Sequence, residues 1–82
     1  MSEAEVYEKV VGVITPFAKN ADALAAISRD TNILDDLEVN SARLVDIMLE
    51  FEDAFDIEVE DEAADNIATV GDAVQLIVQK TS

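Results

Sequence analysis

Apolar residues recur at helical spacing along most of the chain. Val6, Val10, Val13, Ile14 and Phe17 share one helix face, and Ser2 with Glu5 forms an S-x-x-E capping box ahead of them. A first helix is therefore expected from about residue 3. Pro16 removes a backbone donor in its fourth turn, so the helix must kink or break there, with Thr15 expected to cap a short continuation. Residues 19–40 mix turn formers with scattered anchors at Leu24, Ile27, Ile33, Leu34 and Leu37, which reads as a long ordered loop holding a turn or two of helix. Loops of this length usually position something, and this one ends at Asn40-Ser41.

The pattern is clearest from Ser41 to Phe55. Leu44, Ile47, Met48, Phe51 and Phe55 build one face of a second helix, while Asp46, Glu50, Glu52 and Asp53 lie elsewhere on the cylinder. Val45 and Leu49 form a further apolar strip beside those acids, wider than a small bundle needs for its core, so part of it is expected to be exposed. A connection over 56–60 leads to a short third helix over 61–66. Thr69 with Asp72 then caps a fourth helix whose Val70, Ala73, Val74, Ile77 and Val78 face inward. The expectation is an all-α fold of three main helices and one short one, with a long loop between the first and second, forming one domain over residues 1–82.

Composition narrows the function. At 82 residues and 8.9 kDa the chain buries only about 60% of its unfolded surface, which leaves one thin core and no room for a deep cleft. Its 50% apolar content is too high for a disordered tail. The net charge of −14 repels phosphate backbones and anionic headgroups, so neither nucleic acid nor membrane insertion is expected. Residues 35–65 hold 13 of the 19 acids against one base, Arg43. Such a run is either a solvated face or, with Val45 and Leu49 inside it, a docking surface for a basic partner. There is no Cys or His, so no disulfide, no thiolate zinc site and none of the common nucleophile–base pairs is available. Catalysis by this chain alone is not expected. The first residues carry no basic or apolar leader segment, and a cytoplasmic monomer is expected.

Two candidates for chemistry remain. Asp56-x-Glu58-x-Glu60 imitates the start of a calcium loop, but the sixth position is Asp61 in place of glycine and the twelfth is Ile67 in place of a bidentate Glu. No dedicated metal site is expected; weak, shared binding of Mg²⁺ or Ca²⁺ by the acidic surface is. Ser41 is the one candidate for covalent modification, and it stands with Asn40 where either residue could simply cap the second helix.

Around Ser41 the order of residues resembles a known family. Leu37-Glu-Val-Asn-Ser41-Ala-Arg-Leu44, then Val45 to Val59, then Ile67-Ala-Thr-Val-Gly-Asp-Ala73 looks like the acyl carrier proteins, with their D-L-G-x-D-S-L motif, acidic helix ending E-x-x-F, and I-T-T-V-x-x-A segment. The matching positions are Asp36-Leu37, Ser41, the core face of the second helix, Glu52, Phe55, Ile57 and Val59. The resemblance implies a four-helix carrier fold in which Ser41 bears a covalent 4′-phosphopantetheine arm holding acyl groups as thioesters. Implied partners are a phosphopantetheinyl transferase and acyl-loading, transfer or condensing enzymes with basic docking patches. Four departures cluster at the motif: Glu38 for the loop glycine, Asn40 for Asp, Ala42 for Leu or Ile, and Arg43 where an acid is common. Asn40, Ala42, Arg43, Val45, Asp46, Leu49, Glu52 and Asp53 are the expected partner contacts. The altered rim implies a specialised carrier of a dedicated pathway, such as an unusual lipid, lipid A or sphingolipid, or a secondary metabolite. The alternatives are an aminoacyl or peptidyl carrier, an unmodified acidic interaction module and an acidic cation-binding domain.

Overall fold

The computed structural model describes residues 2–81, with Asp61 described by its backbone alone; Met1, Ser82 and the Asp61 side chain, the sixth position of the calcium-like spacing, lie outside the described residues. Helix α1 spans Glu3–Ile14. Ser2 opens it as the capping box requires: its Oγ accepts from the Glu5 N–H at 3.2 Å and donates to Glu5 Oε1 at 3.1 Å. Val6, Val10 and Ile14, one turn apart, are fully buried. The helix gives way at Pro16 to a 3₁₀ turn over Thr15–Phe17. Thr15 does not cap that turn. Its hydroxyl reaches back to donate to the Val11 carbonyl at 2.7 Å, the usual alternative for a Thr in a last helical turn.

The long connection contains one short helix, α2 (Ala21–Ala25), capped by Asn20, whose Oδ1 accepts from the Ala23 N–H at 3.1 Å. Helices α3 (Ser41–Phe55), α4 (Asp61–Asp65) and α5 (Val70–Thr81) follow. The third helix of the sequence reading ends one residue earlier than expected, because Asn66 serves as its C-cap. Thr69 and Asp72 cap α5 reciprocally: the Asp72 N–H donates to Thr69 Oγ1 and the Thr69 N–H to Asp72 Oδ2, both at 3.1 Å.

Helix α1 packs against both α5 and α3. Between them Val6, Val10, Ile14, Ile47, Phe51, Val70, Val74 and Ile77 form a core sealed from water. Phe51 and Phe55 meet edge to face with centroids 6.3 Å apart, and the Lys9 ammonium sits 5.7 Å from the Phe55 ring. Val78 is half-buried, as is Leu76, which joins the inward face of α5.

What fixes the connection is backbone pairing with the start of α5. The Ile33 N–H donates to Ala68 O, the Val70 N–H to Thr31 O (both 3.0 Å) and the Gly71 N–H to Arg29 O (2.8 Å), around an isolated antiparallel bridge between Asn32 and Thr69. Ile33 and Leu37 anchor the segment in the core, while Leu24, Ile27 and Leu34 are half-buried against it. Among the described residues no helix is long and apolar enough to cross a membrane.

Candidate functional site

The approach to Ser41 is built on an alternation. Leu37 is fully buried and Val39 is 4% exposed, whereas Glu38 and Asn40 between and after them face solvent. Leu37 O accepts from the N–H groups of Lys19 and Asn20, at 3.0 and 3.2 Å, and Asn20 Nδ2 donates to Asp36 O at 3.1 Å. The Asp36 carboxylate accepts the Asn32 N–H at 2.8 Å. These ties hold the strand-like run 37–40 against the body of the protein, so that α3 begins at a fixed point with Ser41 exposed as its first residue.

Asn40 is the cap of α3. Its Oδ1 accepts from the Ala42 N–H at 2.9 Å and its carbonyl from the Arg43 N–H at 2.8 Å. The Ser41 hydroxyl has no hydrogen-bond partner among the described residues. The capping explanation of Ser41 therefore falls to its neighbour. The first turn of α3 contains no acid, so the positive end of the helix dipole faces an exposed hydroxyl without a competing carboxylate. Such a site suits an oxygen bearing a phosphodiester, whose charge would gain from the positive end of the helix dipole beside it.

The other predicted contacts lie along the same helix. Asn40, Ala42 and Arg43 are exposed around Ser41, and Arg43 donates to Asp46 Oδ2 at 3.0 Å in an i,i+3 pair. Val45 and Leu49 are 63% and 57% exposed, the two large apolar residues left open among the described residues, with Asp53 exposed and Glu52 half-buried beside them. A slot of about 80 Å³ between α3 and α4 is lined by Val45, Met48, Leu49, Glu52, Val59 and Ala64. A concavity of about 810 Å³ between the start of α1 and residues 27–30 does not include Ser41. Among the described residues no three acidic side chains converge on a point that could hold a metal ion.

Sequence reading missed Val39 as an anchor, although the alternation from Leu37 to Asn40 carried the signal. It noted Glu38 in the place of a glycine without deriving its backbone. Glu38 has φ 55°, in the left-handed region.

The model of the phosphopantetheine attachment site family matches residues 13–77. The chain belongs to the acyl carrier protein family. It is 39% identical over 80 residues to an acyl carrier protein of Prochlorococcus marinus (strain MIT 9515), covering 98% of each chain. To one of Lactobacillus acidophilus (strain ATCC 700396 / NCK56 / N2 / NCFM) it is 40% identical over 78 residues, covering 94% of each. Its fold matches the solved acyl carrier protein of Enterococcus faecalis with a TM-score of 0.79 at 36% identity, over 98% of this chain and 99% of that one. The carrier is thus no catalyst. It holds a covalent phosphopantetheine group, works in fatty-acid-type biosynthesis, and meets a phosphopantetheinyl transferase and biosynthetic enzymes in doing so.

Proposed function

We propose that Ser41 is the residue of this carrier that takes the arm, and that the exposed side of α3 is where its partner enzymes dock. The observation that carries the first part is the unpartnered Ser41 hydroxyl at the head of a helix that Asn40 already caps. In arm transfer Ser41 Oγ is the nucleophile: it attacks a phosphorus of a phosphopantetheine-bearing diphosphate donor, its new O–P bond forming as the donor's P–O–P anhydride bond breaks, the hydroxyl proton passing to a base of the transferase and the displaced nucleotide phosphate leaving with the bridging oxygen. When bound, the arm supplies a terminal thiol that carries an acyl group as a thioester. The protein's part is to hold the attachment oxygen at a fixed, solvent-open point, which Leu37, Val39 and the Asn40 cap accomplish together.

Docking rests on Val45 and Leu49, exposed within a rim of Asp46, Glu52 and Asp53. An apolar strip bordered by one sign of charge fits acyl-loading, transfer or condensing enzymes with basic patches, the apolar contact adding affinity and the rim steering encounter. Asn40, Ala42 and Arg43 make the rim at Ser41 less acidic and less apolar than the pattern of the housekeeping fatty-acid carriers. This supports a specialised carrier that serves a dedicated lipid pathway. The carrier domain occupies residues 1–82 and acts as a cytoplasmic monomer. The test is intact mass after incubation with a broad-specificity phosphopantetheinyl transferase. The parent should gain one phosphopantetheine and Ser41→Ala none, with the helical spectrum of the variant unchanged; a full gain in the variant, or none in the parent, overturns the assignment.

A further inference from the structure

Among the described residues two other than glycine adopt positive φ, Glu38 at 55° and Asp56 at 54°, while neither glycine does. Asp56 has a structural reason. It is the left-handed C-cap that ends α3, its N–H donating to Glu52 O, and Asp is among the residues best tolerated there. Glu38 has none of these reasons. It caps nothing, its side chain is exposed, and its carboxylate makes no hydrogen bond or ion pair among the described residues. Glycine fits this conformation without steric cost, so the backbone alone gives no advantage to glutamate.

The charges around Ser41 supply one. The first turn of α3 has no acid and contains Arg43, which occupies Asp46. The Asp36 carboxylate is taken by the Asn32 N–H. The free carboxylate nearest to Ser41 along the chain is therefore Glu38, three residues away and within about 11 Å by chain length alone. Any enzyme that brings a phosphate-bearing donor up to the Ser41 hydroxyl covers this ground, and such enzymes line their sites with cations.

We infer that Glu38 is a specificity-determining residue for arm transfer, its carboxylate meeting a Lys or Arg of the phosphopantetheinyl transferase on the loop side of Ser41. This rests on Ser41 as the attachment residue. The left-handed backbone is retained because the charge is used. The acidic contact beside the arm, absent from the first turn of the helix, is supplied from the loop.

The experiment measures arm transfer to the parent, Glu38→Gln and Glu38→Gly by the transferase of the same organism, at low and high ionic strength, alongside thermal unfolding. Both variants should raise KM roughly 3- to 10-fold at low salt with kcat unchanged, as loss of a steering charge at an interface rim does, and the loss should fade at high salt. Glu38→Gly should raise the melting temperature while Glu38→Gln leaves it near the parent's, so the kinetics follow the charge and the stability follows the backbone. If Glu38→Gln keeps the parent's KM at low salt, the inference is wrong whatever Glu38→Gly does. A parent that takes no arm overturns the Ser41 assignment and this inference together, whereas transfer to Ser41 indifferent to residue 38 overturns this inference alone.

Discussion

The two glycines test the fold in opposite directions. Gly12 lies on the exposed side of α1, and a Cβ added there meets nothing within 4 Å. In a helix interior Ala is favoured over Gly by about 0.8–1 kcal/mol, and each kcal/mol moves the melting temperature of so small a domain by about 4–8 °C. Gly12→Ala should therefore raise it by a few degrees. Gly71 is the second residue of α5, and a Cβ there would stand 3.0 Å from the Arg29 carbonyl oxygen and 3.3 Å from Arg29 Cβ. That oxygen must retreat by a few tenths of an ångström, yet it is the acceptor for the Gly71 N–H at 2.8 Å. Moving it also pulls on the paired bonds Val70 N–H to Thr31 O and Ile33 N–H to Ala68 O. A weakened or broken hydrogen bond costs about 0.5–1.5 kcal/mol, and the helix-propensity gain is smaller in a first turn, so Gly71→Ala should lower the melting temperature. Thermal unfolding followed by circular dichroism measures both shifts. Hydrogen exchange should accelerate over residues 29–33 in Gly71→Ala and stay unchanged in Gly12→Ala. If Ala at 71 stabilises as much as Ala at 12, the loop is not held by this backbone pairing.

Self-repulsion of the −14 charge, with only two ion pairs among the described residues, should let moderate salt or millimolar-scale Mg²⁺ raise the melting temperature; a flat or falling response contradicts this. Backbone N–H groups of Thr69 and Ala68 donate to the Asp72 carboxylate and hold its pKa below the ordinary range, so its stabilising contribution is complete above about pH 4 and lost as pH falls through the lowered folded value. The deficit of Asp72→Ala at neutral pH, about 0.5–2 kcal/mol for a lost cap, should thus shrink in strong acid, and an undiminished deficit there refutes the linkage. Combining Asn40→Asp, Ala42→Leu and Arg43→Asp should speed acyl transfer to a general fatty-acid condensing enzyme, by about 5- to 150-fold if about 1–3 kcal/mol of contact and steering returns. No gain would mean that these residues do not set partner choice.

The helices were legible because each carries side-chain signals that act locally. Ser2 with Glu5 and Thr69 with Asp72 mark two starts, Pro16 marks the end of α1, and the four-residue spacing of Val6, Val10 and Ile14 marks its buried face. The exposed strip of Val45 and Leu49 was legible too, as apolar area in excess of what one core face can absorb. The ties of residues 29–33 to 68–71 were not, since they run between backbone groups 35 to 42 residues apart and leave no pattern in the side chains; only Gly71, kept small against Arg29 O, hints at them. Thr15 misled because a Thr at a helix boundary can serve either side of it, and here its hydroxyl found the Val11 carbonyl first. The left-handed Glu38 was hidden for a plainer reason: glutamate is not a residue whose presence announces that conformation.

Asn40 separates two properties that a sequence presents as one. Asn and Asp cap a helix about equally well, and the Asn40 side chain does so through its carbonyl oxygen, an atom that Asp would supply in the same place. Folding therefore gives no reason to prefer one over the other, and what distinguishes them at this position is the charge set beside Ser41. A neutral cap leaves the helix dipole uncompensated where the phosphodiester would lie, while Arg43, paired with Asp46 one turn on, neutralises the next acid along the helix. The stability of α3 and the electrostatics of the proposed attachment point are thus set by different features of the same few residues. On the proposed reading, a partner enzyme would be selected through residues 38–43 without disturbing the helix that holds Ser41 in place.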